Sequence, residues 1–167
     1  MNYSDRRLAQ AVIKRLCQGA QIDGIRFGPI LQLLLTIPSS SKLAVKGQVY
    51  LNLASTWDIF DRLPSMFLES ETDLPRIAVG QQIAAICSIR EQVISEARLE
   101  DGVPHLILTL ESGKVLFLNG HHEKYETWQL GVAFNDPAEP WMVVACPGDN
   151  IAVWASESFI VSLRSAS

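Results

Sequence analysis

Apolar and polar residues alternate along much of the chain, and this period of two predicts a protein built mainly of β-strands. The alternation is clearest between residues 105 and 154, where short apolar runs are separated by Gly, Asn, Asp and Pro. Within this stretch, residues 105–110 and 114–118 flank the turn Glu111-Ser112-Gly113, which predicts a β-hairpin. Further strands are predicted over residues 22–27, 30–37, 42–46, 48–53, 93–99, 125–130, 141–145 and 151–154, with an edge strand over 159–163.

Two segments have the period of an α-helix instead. Leu8, Val12 and Leu16 lie on one face of a helix predicted over residues 5–18, and basic residues occupy the other face. A second, shorter helix is predicted over residues 79–89, because apolar residues recur there at helical spacing. The fold class predicted from these patterns is α+β, mainly antiparallel β-sheet with an N-terminal helix and a second short helix.

The two halves of the chain resemble each other at a nearly constant spacing, which predicts an internal duplication. The matching landmarks are Thr36 and Thr109, Lys42 and Lys114, Gly47 and Gly120, Trp57 and Trp128, and Leu16-Cys17 and Ile86-Cys87. We therefore predict two tandem pseudo-repeats, residues 1–76 and 77–167, each a helix followed by strands; one compact domain is the alternative. The match of Cys17 with Cys87 predicts the same small core position in both repeats.

Residues 61–76 are predicted to be a linker or an excursion from the sheet. Two prolines and the acidic residues Glu69, Glu71 and Asp73 oppose regular structure there. The apolar run at residues 66–68 could hold this segment against the body of the protein or expose an apolar patch.

Composition predicts a folded globular protein, with 48% hydrophobic and 19% charged residues. The apolar runs are too short to span a bilayer, and the N-terminal residues lack the apolar region of a signal peptide, so a cytoplasmic protein without a membrane partner is expected. The three cysteines are far apart in sequence and form no CxxC motif.

The net charge of −4 conceals an asymmetry between the halves. Residues 1–90 hold 10 basic and 7 acidic residues, whereas residues 91–167 hold 4 basic and 11 acidic residues. The acidic half would repel nucleic acid and attract a basic partner, so no nucleic-acid partner is expected.

Two segments could carry chemistry, and the sequence favours neither. His121-His122-Glu123 has metal-ligand residue types, but neighbouring histidines on a strand point to opposite faces, and a further ligand would have to come from His105 or Cys146. Cys146 could be a nucleophile with His121 or His122 as its base. No phosphate-binding loop, dinucleotide fingerprint or nucleophile elbow is present. We therefore expect no catalytic residues, no metal and no cofactor.

The second half resembles a family of small bacterial β-rich domains of unknown function. The resemblance covers about fifty residues and rests on four short motifs: Gly113-Lys114, Tyr125-Glu126-Thr127-Trp128, Cys146-Pro147-Gly148-Asp149 and Ala152-Val153-Trp154. Similar small acidic proteins are found among immunity proteins that neutralise toxins of bacterial competition systems. The resemblance thus implies a non-enzymatic binding protein.

An immunity protein needs a rigid scaffold and a surface that complements its toxin in shape and charge, and nuclease toxins are commonly basic. The residues predicted to bind such a toxin are Glu123, Glu126, Asp136, Glu139 and Asp149, with Tyr125 or Trp141 as an aromatic anchor and Glu69, Glu71 and Asp73 as a second patch. The alternatives are a small-molecule-binding or enzymatic β-domain with its pocket between the repeats, and a structural subunit that dimerises through exposed edge strands.

Overall fold

The computed structural model describes residues 3–38, 45–64, 78–134 and 136–165. The chain is α+β, with three helices and ten strands in two antiparallel sheets among these residues. The elements run in the order α1 (Tyr3–Cys17), β1 (Gln21–Arg26), β2 (Leu31–Thr36), β3 (Gln48–Leu53), β4 (Trp57–Phe60), α2 (Val79–Cys87), β5 (Ile94–Leu99), β6 (Leu106–Leu110), β7 (Val115–Leu118), β8 (Trp128–Ala133), β9 (Met142–Cys146), β10 (Asn150–Trp154) and α3 (Glu157–Ser165).

Both sheets contain strands from both halves of the chain. The larger sheet has six strands in the order β1-β2-β3-β8-β9-β10, and the smaller has four in the order β4-β7-β6-β5. The fourth strand of each half therefore pairs in the sheet formed by the other half: β4 pairs with β7, and β8 pairs with β3. We call this arrangement the strand exchange.

The register of the strand exchange is reciprocal. Trp57 lies opposite Leu118 in the smaller sheet, and Trp128 lies opposite Leu53 in the larger sheet. A second reciprocal set of hydrogen bonds joins the starts of β1 and β5: Gly19 N–H donates to Ile94 O, and Glu91 N–H donates to Ile22 O. Residues 3–60 and 79–133 thus share one order of elements, a helix and four strands, and one pairing scheme, while β9, β10 and α3 follow only in the second half of the described residues. The proposed sequence duplication stays a prediction.

The larger of two hydrophobic clusters among the described residues joins the sheets and the helices. It includes Leu33 and Leu51 from the larger sheet, Leu108 and Leu116 from the smaller sheet, and Ile13 from α1, all completely buried. Helix α1 packs against β5, β9 and β10 with its apolar face, as its periodicity predicts. The two predicted repeats thus share both sheets and this core.

Several sequence-based predictions of local structure are wrong. Residues 45 and 46, the end of the strand predicted over residues 42–46, precede β3 and form no strand. Residues 159–163 belong to helix α3, not to an edge strand. Strand β8 begins at Trp128, so Tyr125 and Thr127 precede it rather than forming part of it. Cys87 is exposed whereas Cys17 is buried, so the two cysteines do not occupy equivalent core positions.

Most of the predicted excursion and the start of another predicted strand lie outside the described residues. This applies to residues 65–77, which include Glu69, Glu71 and Asp73, and to residues 39–44. Within the described ranges, each helix is too short or too polar to cross a membrane.

Candidate functional site

The candidate site is built on the loop between β7 and β8, residues 119–127, at one end of the larger sheet. Asn119, which is 4% exposed, fixes the start of this loop. Its side-chain Oδ1 accepts a hydrogen bond from His121 N–H at 3.0 Å, and its Nδ2 donates to His121 O at 3.3 Å. Ser55 Oγ donates to the Asn119 carbonyl oxygen at 2.8 Å, which ties the loop to the connection between β3 and β4.

Gly120 approaches the backbone of Pro104 so closely that a side chain is excluded. A Cβ atom at this position would lie 2.0 Å from Pro104 O and 2.7 Å from His105 N. Gly120 N–H donates to Nδ1 of His105 at 2.9 Å, so the His105 ring is the acceptor in this bond. The close approach therefore requires glycine at position 120. The hydrogen bond requires that Nδ1 of His105 carry no proton.

His105 is a structural residue in an apolar environment. Its side chain packs against Phe117 with 5.0 Å between ring centroids, and the residue is 6% exposed. Burial lowers the pKa of His105 to about 4; Asp149 opposes this shift, and His121 adds to it. The imidazole is therefore neutral at pH 7, in agreement with its role as an acceptor.

His122 shapes the turn that carries the exposed residues of the loop. Its Nδ1 accepts hydrogen bonds from the backbone N–H groups of Lys124 and Tyr125, both at 3.0 Å. Its ring packs against Tyr125 at 5.0 Å, and its carbonyl oxygen accepts a hydrogen bond from Gly148 N–H at 3.0 Å. These contacts order residues 122–125 while the Tyr125 side chain stays 68% exposed.

An open cleft of about 480 Å³ lies beside this turn, and Ile30, Ala54, Tyr125, Glu126 and Pro147 contribute to its walls. Side-chain amides from adjacent strands also line it. Asn52 Nδ2 donates to Gln129 Oε1 at 3.3 Å, and Asn52 Oδ1 accepts from Gln32 Nε2 at 2.7 Å. The cleft therefore combines apolar walls with hydrogen-bonding amides.

The segment His121-His122-Glu123 does not form a metal centre with other described residues. His121 Nδ1 lies 2.6 Å from Asp149 Oδ1, and His122 Nδ1 is occupied by backbone N–H groups. Within residues 3–38, 45–64, 78–134 and 136–165, no group of three or more His, Cys, Asp or Glu side chains is placed to hold a metal ion.

Cys146 lacks the environment of an activated nucleophile. Burial raises the pKa of the Cys146 thiol, Glu126 raises it further, and a backbone hydrogen bond from Ala152 lowers it in part. Its Sγ lies 3.6 Å from Val144 O. The thiol form is thus favoured at neutral pH, whereas nucleophilic attack requires the thiolate.

The structure divides the predicted partner-binding residues between two ends of the larger sheet. Glu123, Tyr125 and Glu126 lie together on the ordered turn, and Asp149 contacts that loop through His121. Asp136, Glu139 and Trp141 follow the other end of β8, roughly 20 Å away for a six-residue strand. The predicted second patch, Glu69, Glu71 and Asp73, lies outside the described residues.

Trp141 is 6% exposed, so its ring is buried rather than available at the surface. It packs against Phe159 at 5.0 Å between ring centroids, and the Arg15 guanidinium lies 5.0 Å from its ring. Sequence reasoning also missed Ile30, which it placed in a mostly buried strand. Ile30 is 47% exposed, and the Gly28-Pro29 turn just before it was the signal that could have placed it at the rim.

Comparison of the chain with protein-family models, with curated proteins and with solved structures gives no match.

Proposed function

We propose that this chain is a cytoplasmic binding protein that masks a cognate protein toxin, as an immunity protein does. The observation that carries the proposal is the joint position of Glu123, Tyr125 and Glu126 on one exposed turn beside the cleft. A carboxylate pair that flanks an exposed aromatic ring offers an anchor and a charge match to a basic partner. Asp149 adds negative charge behind this turn.

Preorganisation of the turn supports the proposal. The bonds to His122, Asn119 and Asp149 hold the backbone before a partner arrives. A surface that is already ordered loses less conformational entropy on binding, and this favours affinity. Ile30, which is 47% exposed, lines the cleft and adds apolar area there, and Phe27, which is 56% exposed, lies in the same connection between β1 and β2.

Binding to the partner is the direct test. The tagged protein is used to capture proteins from its native host at low and then moderate salt, and the stoichiometric partner is purified for calorimetry. We expect Tyr125→Ala and the double variant Glu123→Lys, Glu126→Lys to weaken binding by at least about tenfold, as expected for a binding hot spot and its charged neighbours. Binding should also weaken as salt rises.

Glu111→Lys is the matched control, because Glu111 is an exposed carboxylate on the β6–β7 turn and lies outside the cleft. This variant should bind the partner as wild type does. Asp136→Lys, at the opposite end of the larger sheet, should likewise bind the partner as wild type does. Unchanged affinity in the Tyr125 and Glu123/Glu126 variants would refute the proposed surface, and a captured partner that shows no toxicity when expressed alone would refute the immunity function.

A further inference from the structure

A second cavity, of about 390 Å³, lies at the opposite end of the larger sheet, between α1, the start of α3 and the segments that precede β3 and β9. Two basic side chains, three hydroxyls and one carboxylate line it: Arg15, Lys46, Ser156, Ser158, Ser162 and Glu139. The proposed masking surface does not use this cavity.

Arg15 is the central feature of the cavity. Its guanidinium carbon lies 5.0 Å from the centroid of the Trp141 ring and 5.5 Å from that of Phe159, so aromatic rings position the cation. Arg15 forms no ion pair with a described residue. Its Nε atom is buried and has no hydrogen-bond partner among the described residues.

An unsatisfied buried donor on a cation is unfavourable, because desolvation of its N–H is not offset by an acceptor. An anion in the adjacent cavity would give the guanidinium the ion-pair partner that it lacks among the described residues. A guanidinium is also the side chain best suited to the oxygens of a phosphate group. Arg15 thus indicates an oxyanion as the occupant.

The serines provide further donors on the same cavity. Ser156 is 5% exposed; its Oγ accepts a hydrogen bond from Phe159 N–H at 3.4 Å and lies 3.2 Å from Ser158 Oγ. Ser158 and Lys46 are exposed, so their donors are accessible from solvent. These groups stand at the N-terminal end of α3, where the helix dipole adds to the attraction for an anion.

We propose that this cavity binds a phosphate group, through Arg15, Lys46 and the hydroxyls of Ser156 and Ser158. Glu139 opposes the binding of a dianion because its carboxylate lines the same cavity. Glu139 therefore limits the affinity, and its neutralisation strengthens phosphate binding. This site is independent of the masking surface, which lies at the other end of the sheet.

The test is a titration with inorganic phosphate and with methyl phosphate, with sodium chloride and sodium acetate at matched ionic strength as references. Calorimetry gives the Kd, and backbone amide shifts locate the site at residues 156–158. We expect saturable binding of phosphate that Lys46→Gln and Ser158→Ala each weaken at least fivefold and that Glu139→Gln strengthens at least threefold. Lys124→Gln, in the distant cleft, should leave the Kd unchanged.

The variants Lys46→Gln and Ser158→Ala also distinguish binding in the cavity from the general stabilising effect of phosphate salts, because that effect does not depend on either side chain. Binding of methyl phosphate as tight as that of inorganic phosphate would identify a phosphate ester as the ligand class, and preference for the inorganic ion would identify free phosphate. Acetate binding equal to phosphate, or no saturable binding in wild type and in Glu139→Gln, would overturn the proposal.

Discussion

His121 Nδ1 lies 2.6 Å from Asp149 Oδ1, and this contact joins the loop after β7 to the turn after β9. The hydrogen bond from Gly148 N–H to His122 O joins the same two segments. Asp149 has a positive φ of 60°, so the turn is held in a conformation that most residues disfavour. The exposed Tyr125 is therefore presented by two loops that support each other.

His122 should control the order of this turn without controlling the fold. We expect His122→Ala to speed amide hydrogen exchange of Lys124 and Tyr125 by roughly two- to tenfold, since a hydrogen bond contributes about 0.5 to 1.5 kcal/mol net. His122→Asn keeps a side-chain acceptor in a turn and should retain protection. Exchange measured by NMR that is equally slow in His122→Ala would show that other contacts order the turn.

Gly120 should be among the glycines least tolerant of substitution. Gly120→Ala places a Cβ 2.0 Å from Pro104 O, so the backbone must shift, and we expect the free energy of unfolding to fall by at least about 2 kcal/mol. Gly80→Ala is the control, because its Cβ would meet nothing within 4 Å. Within α2 that change should be neutral or stabilising by up to about 1 kcal/mol. Equal stabilities in urea unfolding would contradict the predicted clash.

His105 should make the free energy of unfolding depend on pH, because its pKa differs between the folded and the unfolded chain. The pKa is 6.5 in the unfolded chain and about 4 in the folded chain, so the unfolded state binds more protons between these values. The contribution of neutral His105 is therefore fully present above pH 6.5 and is lost as pH falls toward 4. Over this interval the free energy of unfolding should fall by at most about 3 kcal/mol, since one pKa unit corresponds to about 1.4 kcal/mol.

The variant His105→Asn keeps an acceptor for Gly120 N–H but does not titrate. We expect its stability to vary less than that of wild type between pH 7 and pH 4 in urea unfolding. Parallel pH profiles for the two proteins would mean that His105 does not carry this dependence.

Trp128 and Trp57 occupy reciprocal register positions, yet they should differ in their contribution to stability. Trp128 is completely buried and donates its Nε1–H to Pro104 O at 2.8 Å, whereas Trp57 is half-buried. Trp128→Phe leaves a buried carbonyl without its donor and leaves a cavity, and we expect a loss of about 2 to 3 kcal/mol. Trp57→Phe should cost less by at least about 1 kcal/mol in the same unfolding assay, since it removes less buried surface.

Local patterns predicted much of the fold, because α1 and the β6–β7 hairpin depend on residues that are close in sequence. The α+β class with mainly antiparallel sheet is confirmed. The sequence pattern does not distinguish helix α3 from a short strand, because Phe159, Ile160 and Leu163 fit both; the Ser156 cap is the local signal that identifies the helix. The start of β8 was wrong because the His122 side chain bonds to the Lys124 and Tyr125 backbone in place of a strand partner.

The candidate site could be predicted only in part, because some of its residues are close in sequence and others are not. Glu123, Tyr125 and Glu126 are neighbours in sequence, so their joint exposure followed from the turn signals around them. Ile30 and Asn52 reach the cleft through pairing of distant strands, and such pairing leaves no local pattern. The cavity around Arg15 likewise brings together residues more than 140 positions apart in sequence, from α1 and α3.

The strand exchange determines when the sheets can be completed during synthesis. The edge of β3 that pairs with β8 remains open until residues 128–133 have left the ribosome, and β4 is made well before its partner β7. An open strand edge is a site where chains associate with one another. Nascent chains shorter than about 130 residues should therefore depend on chaperones, and a truncation before β8 should yield an aggregating fragment rather than a smaller folded protein.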